Sequence, residues 1–109
     1  MTPEIAARLT ACDIQMAAEA ADYCMFVRGN CMALVQLAGG RFTSIGSSGM
    51  LTENGLAYLV WNDGKAMLSS HGNQVEADSA QVDGIRKFSE DLKVAVGLTK
   101  DNLAAEERR

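Results

Sequence analysis

Two apolar runs on either side of Gly29-Asn30 constrain this chain more than any other feature. Tyr23–Arg28 and Cys31–Ala38 are rich in β-compatible apolar residues, and Gly followed by Asn suits a two-residue hairpin turn. Such a turn pairs Arg28 with Cys31, Phe26 with Ala33 and Cys24 with Val35. Alternation then puts Cys24, Phe26, Ala33 and Val35 on one face and Met25, Val27, Met32 and Leu34 on the other. A hairpin with one wet side alternates apolar with polar residues. Here both faces are apolar, so something must cover each.

The rest of the chain supplies two helices and more antiparallel strands. Thr2-Pro3-Glu4 is a helix start, with a capping hydroxyl, a proline suited to the first helical position and an acid at the positive end. Ile5, Leu9, Cys12, Met16 and Ala20 recur at three- and four-residue steps, which predicts a helix to about Asp22. Gly39-Gly40 is the next turn, and Arg41–Ile45 is a weaker strand anchored by Phe42. Gly46-Ser47-Ser48-Gly49 breaks the pattern, and Met50–Asn54 reads as a short helical turn. Leu56–Trp61 and Lys65–Ser70 form a second hairpin around Asn62-Asp63-Gly64. It places Leu59 and Trp61 with Ala66 and Leu68 on one face, and Tyr58 and Val60 with Met67 and Ser69 on the other. Asp78 and Gln81 have capping-box spacing, and Val82, Ile85, Phe88, Leu92 and Val96 line one face of a last helix that Gly97 ends.

The expected fold is α+β. A five-stranded, mostly antiparallel sheet is flanked by an N-terminal and a C-terminal helix in two layers, a single domain over 1–98 with a polar tail or short helix over 99–109. At 109 residues with 48% apolar content, the chain has the size and composition of one folded domain. If both helices lie on one sheet face, the other is left with Met and Val exposed, and such a patch marks an association surface. The sequence does not say which face that is: the set with Phe26 and Val35 could exchange roles with the set containing Val27 and Leu34.

Charge narrows the partners. The net charge is −4, carried by the N-terminal three-quarters, where Glu4, Asp13, Glu19 and Asp22 are opposed only by Arg8. There is no basic stripe, so duplex nucleic acid and anionic membrane are repelled on average. Cys12, Cys24 and Cys31 form no C-x-x-C pair and sit on apolar repeats; they read as reduced, buried thiols of a cytoplasmic protein. The N-terminus lacks a basic region followed by an apolar run, and so does not read as a secretory signal.

The order of elements, the size and the acidity resemble those of roadblock/LC7-type domains, small dimerising scaffolds, and of class I type III secretion chaperones, small acidic dimers. The roadblock resemblance implies a long central helix between the hairpins, a place Met50–Asn54 is too short to fill.

The first expectation is therefore a non-catalytic protein-binding or scaffolding module. It self-associates as a homodimer through Met25, Val27, Met32 and Leu34, with Tyr58, Val60 and Met67 as neighbours, and presents a composite surface to a protein partner. Six methionines, Met50 among them, suit an adaptable apolar surface. Trp61 and Tyr58 supply large apolar area suited to an interface anchor, and Trp61 reads as core first. The second expectation is a small enzyme or ligand binder with its site at His71, Ser69, Ser70, Glu53 and Cys31. His71 is the only histidine and the natural base near neutral pH, and Arg28 facing Cys31 across the turn would lower its thiol pKa. Gly46–Gly49 could present backbone N–H groups to an anion, although no Lys follows as in a phosphate loop. A third expectation is an inhibitor or accessory protein whose acidic first helix mimics a charged ligand. No cofactor and no metal site is expected, because one His and three dispersed Cys give no ligand spacing.

Overall fold

The computed structural model describes residues 2–98, without Asn54 and the side chain of Ser47. Helix α1 (Pro3–Ala11) is followed by strands β1 (Gln15–Glu19), β2 (Tyr23–Arg28), β3 (Cys31–Ala38), β4 (Arg41–Thr52), β5 (Gly55–Asn62), β6 (Lys65–Ser70) and β7 (Asn73–Glu76), and helix α2 (Ser79–Ala95) closes the chain. The strands form one seven-stranded antiparallel meander in sequence order. The α+β class and the antiparallel sheet stand as expected, and the strand number is seven rather than five.

The turns explain the meander. Gly29 adopts φ 58° between β2 and β3, and both central residues of the next two-residue turns are left-handed: Gly39 and Gly40 (60° and 78°), Asp63 and Gly64 (53° and 78°), His71 and Gly72 (51° and 83°). Paired positive φ values are those of the hairpin turn that matches strand twist. Both registers read from the sequence hold, from Cys24 opposite Val35 to Arg28 opposite Cys31, and from Tyr58 opposite Ser69 to Trp61 opposite Ala66.

Three expectations are overturned. The first helix ends at Ala11, not near Asp22. Asp13 turns left-handed at φ 59°, Asp13 N–H donates to Thr10 O, and Ile14 N–H donates to Leu9 O at 2.9 Å, the double closure that ends a helix. Leu9 and Ile14, which bracket this closure, are both buried. The residues beyond it pair with β2 as β1, with Ala17 the extra residue at a register shift, so pairing overrides the helix propensity of Met16-Ala17-Ala18-Glu19.

Secondly, Gly46–Gly49 is neither a loop nor an anion cradle, and Met50–Thr52 is not helical. All lie in the twelve-residue β4, which gains an extra residue against β3 between Ile45 and Ser48, a bulge. Gly49 is required there. A Cβ at this position would collide with the Ala57 carbonyl and sit 2.8 Å from Tyr58 Cα. Thirdly, Asn73–Glu76 forms the edge strand β7, which the sequence reading passed over.

The core lies between one face of the sheet and the two helices. Phe26, Ala33, Val35 and Cys24 meet Phe88, Leu92 and Ala95 of α2 and Val96 just beyond it, joined by Leu9 of α1 and Ile14. Ala57 and Leu68 meet Ile85 further along. The capping box of α2 is present, with Gln81 N–H donating to Asp78 Oδ1 at 2.8 Å and the Gln81 side chain accepting from Asp78 N–H at 2.9 Å. Gly97 ends α2 at φ 85°. The proposed tail over 99–109 lies outside the described residues.

Gly49→Ala is expected to lower the unfolding free energy by about 3 kcal/mol or more, since backbone is the obstacle and overpacking a core costs ~1–3 kcal/mol even where side chains can yield. Gly46→Ala, where a Cβ meets only ordinary contacts, should change it by less than about 1 kcal/mol. Urea denaturation of the two variants checks the pair.

Candidate functional site

The helices settle which sheet face is covered. Cys24, Phe26, Ala33 and Val35 lie beneath α2. Arg28 fixes the helix from the same side: its Nη1 lies 2.9 Å from Asp91 Oδ2 and 3.2 Å from the Cys12 carbonyl, and its guanidinium stands 5.5 Å from the Phe88 ring centroid. Arg8 Nε adds a bond of 2.9 Å to the Ala95 carbonyl, joining α1 to the end of α2.

The opposite face carries Met25, Val27, Met32, Leu34, Tyr58, Val60 and Met67, all on one side by the pairing of Val27 with Met32, Met32 with Gly49, Gly49 with Tyr58 and Val60 with Met67. Six of the seven are half-buried without belonging to either core cluster. Met32 differs. It is 0% exposed, opposite the side-chain-free Gly49, so it fills the sheet from within and offers no surface. Leu51 and Leu56 extend the apolar area; the sequence reading placed Leu51 in a helical turn, and it had Leu56 in the right strand without assigning it to this face. Polar side chains mark the margin: Gln15 on β1, Arg41 on β4, Lys65 on β6 and Glu76 on β7.

Met50 lies on the helix side with the second core cluster, not on the open face. Trp61 is also on the helix side but is 56% exposed, with the Arg86 guanidinium 5.5 Å from its ring centroid. It is a surface residue shielded by a cation, not core. The acids of the supposed charged helix are dispersed: only Glu4 is in α1, while Asp13 is in the turn after it, Glu19 is on β1 and Asp22 lies between strands.

The second group of candidates is partly brought together. A concavity of about 380 Å³ opens on the helix side, lined by His71, Ser70 and Glu53 together with Thr52, Asn73, Glu76 and Gln81 over Ala57, Leu68 and Val75. His71 is exposed in its left-handed turn. Ser69 does not join them: it alternates to the other face, opposite Tyr58. Cys31 packs against both core clusters instead. No group of three His, Cys, Asp or Glu side chains suited to a metal occurs among the described residues, and none of their helices is long and apolar enough to cross a membrane.

All three cysteines are free, with Cys24 buried and Cys12 and Cys31 half-buried. The expectation that Arg28 activates Cys31 is overturned. Burial raises the Cys31 thiol above its ordinary value and outweighs the opposing Arg28 charge. Burial also raises Cys24, helped by the Glu19 carboxylate. Neither is poised as a thiolate nucleophile.

These thiols set a sign for alkaline stability. Between the ordinary pKa of 9.0 and the raised folded values, the native chain holds protons that the unfolded chain releases, so stability falls as pH rises. It should be fully present below pH 9 and decline above it. Urea midpoints of a Cys24→Ala/Cys31→Ala variant should decline less steeply than those of the wild type; equal slopes would contradict the assignment.

In comparisons with known proteins no family model matches the chain, and no curated protein or solved structure matches it at a significant level.

Proposed function

We propose that this protein is a non-catalytic binding or scaffolding module whose working unit is two copies joined through the uncovered sheet face. The observation that carries the reading is a contiguous apolar face, with Met25, Val27, Leu34, Tyr58, Val60 and Met67 partly exposed and Leu51 exposed beside them, lying opposite the only helices described. Large exposed apolar patches rimmed by polar groups mark association sites.

A second copy is the occupant that suits this face. The centre is uncharged, so a charged partner surface would be desolvated there without compensation, whereas a second copy brings an equally uncharged surface in an isologous pairing. Seven strands about 4.8 Å apart, four to twelve residues long and about seven on average, span roughly 600–750 Å² at about 3.3 Å per residue. A stable interface takes about 800 Å² per partner. Tyr58 is the natural anchor, being aromatic and central. In such a pair the helices lie outermost and form the composite surface for a protein partner. Three free thiols without a disulfide suit a cytoplasmic setting.

Sedimentation analysis is expected to give a dimer at micromolar concentration. Val60→Lys and Leu34→Lys should give folded monomers, verified by far-ultraviolet circular dichroism. If the double replacement of Val27 and Leu34 by Asp unfolds the chain, the single lysine variants still decide the matter. A monomeric wild type at those concentrations, or lysine variants that remain dimeric, would sink the proposal.

A further inference from the structure

The sheet has a gap in its interior that the self-association proposed above does not use. β4 and β5 pair from Thr52 and Gly55 to Gly49 and Tyr58 and no further, although β4 extends back to Arg41 and β5 on to Asn62. The bulge between Ile45 and Ser48 explains the parting, since an extra residue bends and twists its strand away from the neighbour. Beyond it β4 keeps only β3, and Leu59–Asn62 keeps only β6. The two-residue turn Asp63-Gly64 makes Asn62 and Lys65 a hydrogen-bonded pair. Val60 and Asn62 therefore turn their backbone groups to β6, and Leu59 and Trp61 turn theirs into the gap. Among the described residues no backbone bond from outside the strands reaches either of them. α2 spans the gap on the helix side: the Arg86 guanidinium stands over Trp61, and Lys93 shares a hollow of about 210 Å³ with Thr43, Ser44 and Ile45 of β4.

We infer that this gap takes up one extended, acidic peptide segment of a protein partner, added as a strand beside Leu59–Asn62. The outer margins of the sheet are protected, β1 by its register shift and β7 by its shortness, as strand edges commonly are. The β5 edge has neither protection: its register with β6 is unbroken, and Leu59, Val60 and Trp61 carry no charge. Main-chain bonds to Leu59 and Trp61 supply the attachment, as where a peptide extends a sheet. Trp61, exposed beside the gap, offers an apolar contact to a peptide side chain. Charge selects the peptide. Arg86 and Lys93 flank the gap on the helix side, Lys65 stands opposite Asn62, and Arg41 opens β4. None of the four takes part in an ion pair among the described residues. The nearby acids are Asp63 in the turn and Glu90 one helical turn beyond Arg86. The local excess is therefore positive in a chain whose net charge is −4, which favours an acidic partner segment.

Trp61 is the sole tryptophan, so its fluorescence reports on the gap directly. The isotopically labelled full chain is titrated with three end-capped peptides: Glu-Val-Thr-Val-Glu, the same sequence N-methylated at its central residues, and Lys-Val-Thr-Val-Lys. Fluorescence and amide hydrogen exchange are followed together. Before any addition, the Leu59 and Trp61 amides should exchange about tenfold faster than the Val60 amide, or more. The acidic peptide should change the fluorescence saturably, slow exchange at Leu59 and Trp61, and bind less tightly in high salt. The N-methylated peptide, which lacks the backbone donors, should not bind. The lysine peptide should bind about fivefold more weakly or not at all. Lys65→Gln and Lys93→Gln, both at exposed positions, should each weaken the acidic peptide about two- to fivefold. Protection of Leu59 and Trp61 in the free chain, by another part of it or by a second copy, would overturn the inference. So would undiminished binding of the N-methylated or the lysine peptide, affinity unchanged in both variants, or no saturable change. Sedimentation of the same samples reads the oligomeric state separately, so a failure here is distinct from a failure of the proposed dimer.

Discussion

One long helix covers one of two apolar sheet faces, and the rest of the molecule is arranged around that constraint. The stripe of Ile85, Phe88 and Leu92 is fully used against Phe26, Ala33, Val35 and their neighbours. The nine-residue α1 does not reach the other side. It adds Leu9 to the same core, held by Arg8 to the Ala95 carbonyl. Arg28 secures the arrangement where β2, α1 and α2 converge, with partners from both helical regions. At about a quarter exposed, this ion pair is best regarded as an orienting contact rather than a major source of stability.

The hairpin registers were legible in the sequence because two independent signals agreed. Gly-Asn and Asp-Gly fixed the turns, and alternation fixed the faces. Where only one signal operated, reading failed. Met16-Ala17-Ala18-Glu19 continues a helical period and favours helix, and nothing local announces that β2 offers it an edge. The Gly-Ser run at 46–49 has the composition of a loop, yet Gly49 is there because β4 and β5 approach too closely for a side chain. Four exposed residues of β7 bury too little to leave a pattern.

The candidate sites divide along the same lines. His71, Ser70 and Glu53 were found together because chain turns at one end of a meander gather in space, whereas alternation sends Ser69 to the open face and Cys31, though on the helix side, packs into the core. The open-face residues were legible for the reason that the hairpin was. What the sequence withheld was the choice of face, since only three-dimensional packing places α2 over Phe26 rather than Val27. Met32 shows a further limit. Its face was predicted, but its complete burial depends on the glycine opposite it on β4, a residue assigned to a loop.

The two sides of the sheet differ: the helix side holds the core and a small concavity, and the bare side is the one through which we propose that two copies join. The methionines report directly on that division. Met25 and Met67 lie on the bare side, and Met16 lies exposed on β1. With methyl-labelled methionine and a soluble paramagnetic agent, Met25 and Met67 should be shielded at high protein concentration and become accessible on dilution, while Met16 stays accessible throughout. Met25 and Met67 signals equally accessible at every concentration would contradict the central claim.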